Sequence, residues 1–330
     1  MRDAPTEAIA TAPAGERHRA RAFGLDIDAS FPVPGLAAAT RAPTGPGTKV
    51  DLVAKDALDR DWAPGEARRV LEECFDDDPE PARTIDVHPR LGYRLYARHF
   101  GLARIAPDGK AVACAPPGPA GWDWQRFLVG RILPWAAVLN GYEAFHASAV
   151  AIGGRAVAFV GPTGAGKTSL ALRLVASGAE FMTDDVLAVE TSGDGVLGHA
   201  GAGIASVRPA ERKAIPAATW KGLGTVLGHS GKTYVALPLA EEARPLAAIY
   251  FLRAGDAPPI EALPKPDPRL LLASTFVLGI QTPERLRTQL DVCAAIARDV
   301  PAFDLCVTGV DAGGLARTVA EHLAGVGVSR

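Results

Sequence analysis

Residues 161–168 read Gly161-Pro-Thr-Gly-Ala-Gly-Lys167-Thr168 and fill every fixed position of the pattern G-x-x-x-x-G-K-[ST]. We call this stretch the glycine-rich loop. The apolar run at 156–160 before it predicts a buried strand, and 169–177 after it predicts a helix that ends at Gly178, a residue suited to a helix C-terminus. Strand, loop and helix in this order aim backbone N–H groups and a helix N-terminus at a phosphate. The sequence therefore predicts an α/β core built around a nucleotide or phosphate site.

Each fixed position of the loop has a physical role. Gly161, Gly164 and Gly166 let the backbone turn tightly and approach phosphate oxygens without a Cβ in the way. Lys167 is expected to place a positive charge on the β- and γ-phosphates, and Thr168 to offer its hydroxyl to Mg²⁺. The alternative is a glycine-rich turn that fits a short pattern by chance. The flanking strand and helix favour the phosphate site.

An acidic pair, Asp184 and Asp185, follows the helix of the loop within a few residues. The pair lies near the start of the apolar stretch 181–190, which predicts a strand. A carboxylate on a neighbouring strand commonly holds Mg²⁺ in proteins with such a loop. Because adjacent strand residues point to opposite faces, the two carboxylates are expected to differ in role, unless the strand begins after them. A solvated Asp-Asp turn is the alternative.

Length, charge and cysteine content limit the class of protein. The 330 residues are enough for a large core and about two domains, and 48% of them are hydrophobic, which indicates a globular chain. The formal net charge of −2 favours neither nucleic acid nor an anionic membrane as a partner. The four cysteines form no C-x-x-C pair, so neither a zinc site nor a disulfide framework is indicated. With no visible targeting segment, we expect a cytoplasmic protein with reduced cysteines.

Three regions are expected along the chain. Residues 1–20 are rich in Ala, Pro, Thr and charge, which predicts a disordered tail. Residues 21–115 hold short alternating or apolar runs, and the hairpin signal Asp108-Gly109, which together predict a β-rich domain. The breaker cluster Pro116-Pro-Gly-Pro119 predicts the domain boundary. The nucleotide-binding domain is then expected over 116–330.

A helix and a hairpin are expected to lead into the glycine-rich loop. Residues 122–140 predict a helix that is bent near Pro134. Residues 141–152 predict a strand, and Gly153-Gly154 predicts the turn into the strand before the loop. His146 therefore lies one hairpin from the predicted phosphate site, although a single His is usually a packed or surface residue.

Three segments together resemble the catalytic core of HPr kinase/phosphorylase, a family that phosphorylates a serine of a small carrier protein. They are FHASAV at 145–150, GPTGAGKTS at 161–169 and TDDVLAVE at 183–190. The core of that family is similar in fold to phosphoenolpyruvate carboxykinase. The overall layout looks more like divergent HPr-kinase-related proteins, some of which phosphorylate precursors of modified peptides, including lasso peptides. The resemblance implies an α/β P-loop kinase core with an N-terminal β-rich domain.

The resemblance also implies a role for each site residue. Thr168 and Asp184 would bind Mg²⁺, Asp185 would take the proton of the acceptor hydroxyl, and His146 beside it would tune its charge. The order of the two aspartate roles stays open. The residues expected to hold ATP, with Lys167 also counted as catalytic, are Gly161, Pro162, Thr163, Gly164, Ala165, Gly166, Lys167, Thr168 and Ser169.

Further along the chain the resemblance weakens. The stretch at 201–209 fits the family's characteristic carrier-contact segment only loosely, which leaves recognition of HPr and reverse phosphorolysis open. Arg208 and Lys232 are the candidates there for additional phosphate contacts. Surface cations without a ligand are the equal alternative for both.

The resulting function hypothesis is an ATP- and Mg²⁺-dependent kinase. Its acceptor is expected to be a hydroxyl, with serine favoured, of a peptide or small protein such as a modified-peptide precursor, and not a nucleic acid or a membrane. The sequence leaves a homo-oligomer open. A small-molecule kinase on the same core, and a nucleotide-binding regulatory or assembly protein without transfer activity, are the alternatives. The sequence contains neither the N-K-x-D motif of GTPases nor an L-S-G-G-Q-like signature of ABC ATPases.

Overall fold

The computed structural model shows a mixed α/β protein that divides into two compact units. The first unit comprises Met1–Tyr142 with Val277–Arg285, and the second comprises Glu143–Phe276 with Leu286–Arg330. The structure describes residues 16–39, 42–60, 62, 65–75, 78–118, 122–193, 195–240, 242–255, 259–264, 267–277, 279–308 and 312–326.

The division at Tyr142 differs from the boundary expected at 116–119, of which Pro119 lies outside the described residues. The helical segment after that cluster belongs with the first unit because it packs there. The Tyr142 hydroxyl donates to Gly24 O at 3.0 Å, and the Trp135 ring meets Tyr93 with 5.4 Å between centroids. A Pro-rich cluster marks a break in regular structure, but only packing decides which core the next helix joins.

The first unit contains a nine-stranded sheet among its described residues, in the order β3-β1-β2-β4-β9-β8-β7-β6-β5. Neighbouring strands are antiparallel except at β2–β4 and β4–β9, which are parallel. The Asp108-Gly109 signal lies in the turn between β8 and β9, as it predicted. The strands and the short helix α1 are β1 (His18–Ala22), β2 (Leu25–Ala29), β3 (Ala37–Ala38), β4 (Gly47–Leu52), α1 (Lys55–Asp59), β5 (Arg68–Cys74), β6 (Pro81–His88), β7 (Gly92–Ala97), β8 (Gly101–Ile105) and β9 (Ala111–Ala115).

The tail expected over 1–20 is wrong for residues 18–20, which belong to β1, while residues 1–15 lie outside the described part of the chain. β1 pairs along its whole length with β2. Arg21 Nη2 of β1 lies 2.9 Å from Asp26 Oδ1 of β2, so this basic residue forms an ion pair with the next strand. Composition indicated solvation here because the partners of these charges come later in the chain.

The helical segment before the second unit is irregular near Pro134, where the sequence predicted an interruption. It consists of α2 (Trp122–Phe127), a π-helical turn (Leu128–Ile132) and α3 (Leu133–Leu139). Pro134 stands just after the π-helical turn and has no N–H to donate to a preceding carbonyl, so the regular helical hydrogen bonding is interrupted there.

The second unit contains a nine-stranded sheet and a three-stranded sheet within the described residues. The large sheet runs β10-β14-β15-β19-β12-β11-β13, with β21 and β20 continuing from β19, and the small sheet runs β16-β18-β17. The strands are β10 (Glu143–Phe145), β11 (Ala147–Ile152), β12 (Arg155–Val160), β13 (Glu180–Thr183), β14 (Leu187–Ser192), β15 (Gly195–His199), β16 (Ile204–Val207), β17 (Thr225–His229), β18 (Thr233–Ala236), β19 (Arg244–Arg253), β20 (Ile260–Leu263) and β21 (Ala302–Cys306). The helices are α4 (Lys167–Ala176), α5 (Pro209–Ala214), α6 (Ala217–Leu223), α7 (Pro268–Ala273), α8 (Pro283–Asp299) and α9 (Ala312–Val326).

Strand β12, which leads into the glycine-rich loop, is buried on both faces. Val157 and Phe159 pack with residues of α4 and α9 on one face. Ala156, Ala158 and Val160 pack with residues of α7 and α8 on the other. A strand covered on both sides needs a continuous apolar run, which is why 156–160 carries no alternation. Among the described residues, no helix combines the length and the apolar character needed to cross a bilayer.

Candidate functional site

The glycine-rich loop connects β12 to α4, so the predicted order of strand, loop and helix is present. Gly164 and Gly166 have φ of 91° and 96°, a left-handed conformation that side chains with a Cβ rarely adopt. The Lys167 ammonium donates to Gly161 O at 2.7 Å and so reaches back across the loop. The residues expected at the nucleotide, 161–169, therefore lie together on the loop and in the first turn of α4.

Helix α4 ends as the sequence predicted. Gly178 has φ of 103°, its N–H donates to Val175 O, and the Ala179 N–H donates to Leu174 O. These two bonds are those of a glycine-based C-terminal cap. The helix that begins at Lys167 is therefore held at both ends by glycines.

Asp184 lies beside Thr168 in the first turn of α4, and its carboxylate accepts several hydrogen bonds. The Thr168 and Ser148 hydroxyls each donate to Asp184 Oδ1 at 2.8 Å, and the Ser206 N–H donates to Oδ2 at 3.0 Å. Burial raises the pKa of the Asp184 carboxyl, and the charge of Asp185 raises this pKa further, while the three donors oppose the shift. The arrangement therefore places a carboxylate against the loop threonine, where a cation would offset its burial.

The sequence favoured one strand over 181–190 with the acidic pair near its start. The structure differs from this expectation. β13 ends at Thr183 and β14 begins at Leu187, so both aspartates stand in the connection. Asp185 has φ of 70°, which is uncommon for a residue other than glycine. The left-handed Asp185 lies between two strands, so 181–190 is not a single strand. The open alternative, that the strand begins after the pair, holds for β14, while β13 precedes the pair.

His146 stands in a similar break. β10 and β11 are two strands, not the single strand expected over 141–152. Phe145 pairs with Leu187 and Ala149 pairs with Thr183, so the crossing at His146 runs beside the connection that holds the acidic pair. The imidazole stacks on Phe276, with 6.3 Å between ring centroids.

Arg208 and Lys232 come from the small sheet and lie near the loop. Arg208 follows β16, and its Nη1 would be 3.3 Å from a Cβ built on Gly164. Burial lowers the pKa of Lys167, and the charges of Arg208 and Lys232 lower it further, while Asp185 and Asp184 oppose this. The structure thus brings three cations and two carboxylates to one place.

Two serines at this site were not among the predicted site residues. Ser148 contacts Asp184, and Ser206 contacts both members of the acidic pair. Ser148 stands inside a segment that carried the family resemblance, whereas Ser206 stands in the stretch at 201–209 that fits the family only loosely. The contacts of these two serines could not be predicted, because a serine by itself has no sequence pattern that separates it from surface residues.

The oxygen atoms around Thr168 suit Mg²⁺. Mg²⁺ prefers hard oxygen ligands and is usually bound through one or two carboxylates together with substrate phosphates and water. The Thr168 hydroxyl and the Asp184 carboxylate supply such oxygens beside the glycine-rich loop. Among the described residues, no group of three or more His, Cys, Asp or Glu is arranged to hold a metal by itself. The residues therefore fit an ion that shares its coordination with a nucleotide.

Comparison with solved structures finds weak structural similarity, and comparison of the sequence finds none. No family model matches the chain, and no curated protein does. Among solved structures, the HPr(Ser) kinase/phosphatase from Coxiella burnetii is similar over 56% of this chain and 99% of its own, with 14% identity and a TM-score of 0.32. A score this low carries no argument about activity, so the function is argued below from the residues themselves.

Proposed function

We propose that the second unit is an ATP- and Mg²⁺-dependent phosphotransferase that moves the γ-phosphoryl group to a hydroxyl, with serine of a peptide or small protein as the favoured acceptor. The observation that carries the proposal is the 2.8 Å hydrogen bond from Thr168 to Asp184. It places a carboxylate beside the hydroxyl that follows the loop lysine, which is the arrangement expected for Mg²⁺ next to a bound nucleotide.

The phosphates are proposed to lie in the glycine-rich loop. Its backbone N–H groups and the N-terminus of α4 would contact the oxygens, and Lys167 would neutralise the β- and γ-phosphates. Arg208 lies against Gly164 and adds a second cation at the open side of the loop. The positive charge of Lys232 also acts on Lys167, so Lys167, Arg208 and Lys232 together are the cations proposed to serve the phosphates. Three cations near the loop support binding of a polyphosphate.

The two aspartates are proposed to have different roles in the transfer reaction. Asp184 contacts Thr168, so it is assigned to Mg²⁺, which when bound neutralises charge on the transferred phosphoryl group. Asp185 follows directly and turns out of the strand direction through its left-handed backbone. Its carboxylate is assigned to the acceptor hydroxyl as general base. His146, in the crossing beside the pair, is assigned to tuning that base.

The remaining parts of the proposal concern partners and location. The net charge of −2 supports a peptide or small-protein acceptor over nucleic acid or an anionic membrane. All four cysteines are free thiols, and three of them are buried, which supports work in a reducing compartment such as the cytoplasm.

Incubation with γ-labelled ATP and Mg²⁺ tests the proposal. Candidate serine peptides, small proteins and metabolites are offered in parallel, and Lys167→Ala serves as the matched inactive control. Label on a peptide or protein hydroxyl supports the proposal. Label on a metabolite alone indicates a small-molecule kinase, and tight ATP binding with no transfer indicates a nucleotide-binding protein.

A further inference from the structure

Ser206 of β16 and Arg208, which directly follows β16 with an extended backbone, send their side chains to the site. Ser206 reaches the acidic pair and Arg208 reaches the glycine-rich loop at Gly164. Residues two apart on extended backbone share one face, so a single segment can serve both contacts. Strand β16 belongs to the small sheet, where Ser206 pairs with Tyr234 of β18.

Ser206 meets both carboxylates at once. Its Oγ lies 3.3 Å from Asp184 Oδ2 and 3.4 Å from Asp185 Oδ2, and its N–H donates to the same Asp184 oxygen. A serine hydroxyl has a single proton to donate. The hydroxyl can therefore serve one carboxylate while the backbone N–H continues to hold Asp184.

The support for Ser206 is rigid. Its strand neighbours Ala205 and Val207 are buried in a core cluster with Val235 of β18 and Leu172 of α4. Residues locked by packing hold a functional side chain more precisely than residues on loops. The hydroxyl is thus fixed to the helix that carries Lys167 and Thr168, not only to the small sheet.

We propose that Ser206 is a positioning residue that sets the separation and orientation of Asp184 and Asp185. The inference rests on the proposed function, because it assigns the pair to Mg²⁺ and to the acceptor hydroxyl. With the Ser206 hydroxyl in place, Asp185 is held toward the acceptor side while the Ser206 N–H fixes Asp184 against Thr168. Without the hydroxyl, the repulsion between the two negative carboxylates is no longer offset, so Asp185 turns away and Asp184, which loses its contact with Ser206 Oγ, shifts relative to Thr168.

The test compares Ser206→Ala with Ser206→Thr, which restores a hydroxyl, and with Ser192→Ala as a matched control. Ser192 is exposed at the end of β14 and has no part in the site. Partners that orient metal ligands typically contribute about 10–100-fold to activity or metal affinity. We expect Ser206→Ala to lower kcat by about that factor at saturating Mg²⁺, with KM for ATP close to wild type, since no phosphate contact is removed. Ser206→Thr is expected to recover most of the loss, and Ser192→Ala to match wild type.

A second measurement separates this inference from the proposed function. Mn²⁺ is titrated into the complex with ADP and followed by electron paramagnetic resonance, which needs no acceptor. We expect Ser206→Ala to weaken Mn²⁺ binding by about tenfold and Ser206→Thr to restore it. If wild type transfers phosphate to no acceptor but this Mn²⁺ pattern appears, the positioning role stands while the kinase proposal fails. Unchanged kcat and Mn²⁺ affinity in Ser206→Ala overturn the inference, as does an equal loss in the Ala and Thr variants with a lowered unfolding temperature.

Discussion

Replacing Asp185 by Asn removes a negative charge and keeps the shape of the side chain. Asp185 has φ of 70°, and Asn adopts this left-handed conformation more readily than most residues. The variant therefore tests the carboxylate without added backbone strain. Asp185→Ala would remove the charge and strain the connection between β13 and β14 at once, so it is the poorer probe.

The expected loss follows from the assigned role. A positioned general base typically contributes about 10²–10⁴-fold, which corresponds to about 3–5 kcal/mol of the barrier at 1.36 kcal/mol per factor of ten. Nucleotide affinity is expected to change little, because Thr168 bonds to Asp184 and Asp184 stays in place. Asp184→Asn is the matched comparison. It removes the oxygen assigned to Mg²⁺ and should weaken Mg·ATP binding.

Single-turnover transfer from γ-labelled ATP and fluorescence titration of nucleotide separate the two variants. A slow transfer step with normal ATP affinity in Asp185→Asn, and weakened Mg·ATP in Asp184→Asn, agrees with the assignment. The opposite pattern shows that the two aspartates have exchanged roles. Near-normal transfer in both variants refutes the kinase mechanism.

Other changes probe the remaining parts of the site. Lys167→Ala is expected to abolish transfer while the thermal unfolding midpoint stays near wild type, and unchanged turnover in the folded variant would contradict the phosphate assignment. Gly164→Ala forces a Cβ into a left-handed residue at a cost of about 1–2 kcal/mol and toward the Arg208 guanidinium 3.3 Å away, so calorimetric ATP affinity should fall. Gly153→Ala, also at positive φ but in the hairpin turn between β11 and β12, is its control for strain alone and should keep wild-type ATP affinity. Activity is expected to require Mg²⁺ or Mn²⁺, and full activity in EDTA, or stoichiometric zinc in the purified protein by metal analysis, would count against the oxygen-ligand site.

The strand, loop and helix around residues 161–168 could be predicted because every signal for them is local. An apolar run on both faces of β12, glycines at left-handed positions and a capping glycine at Gly178 all act within a few residues of one another. The irregular helix near Pro134 and the hairpin at Asp108-Gly109 also depend on local signals. Such features depend on backbone preferences, and here these preferences agree with the tertiary fold.

The strand interruptions at His146 and at the acidic pair could not be predicted from local signals. Both segments are apolar enough to continue as single strands, and the sequence reading took them so. The structure divides them because β10 and β14 pair in one part of the sheet while β11 and β13 pair in another. Strand pairing is a long-range choice, so its consequence for Asp185 is absent from the local pattern.

The sequence by itself determined which residues can hold a phosphate, since loop, lysine and threonine are contiguous. Only the tertiary structure decided what surrounds them. Ser148 and Ser206 reach Asp184 across 36 and 22 residues of chain, and Arg208 reaches the loop from a separate sheet. Residue type at such separations carries no signal for contact, because the contact arises when the small sheet packs against α4.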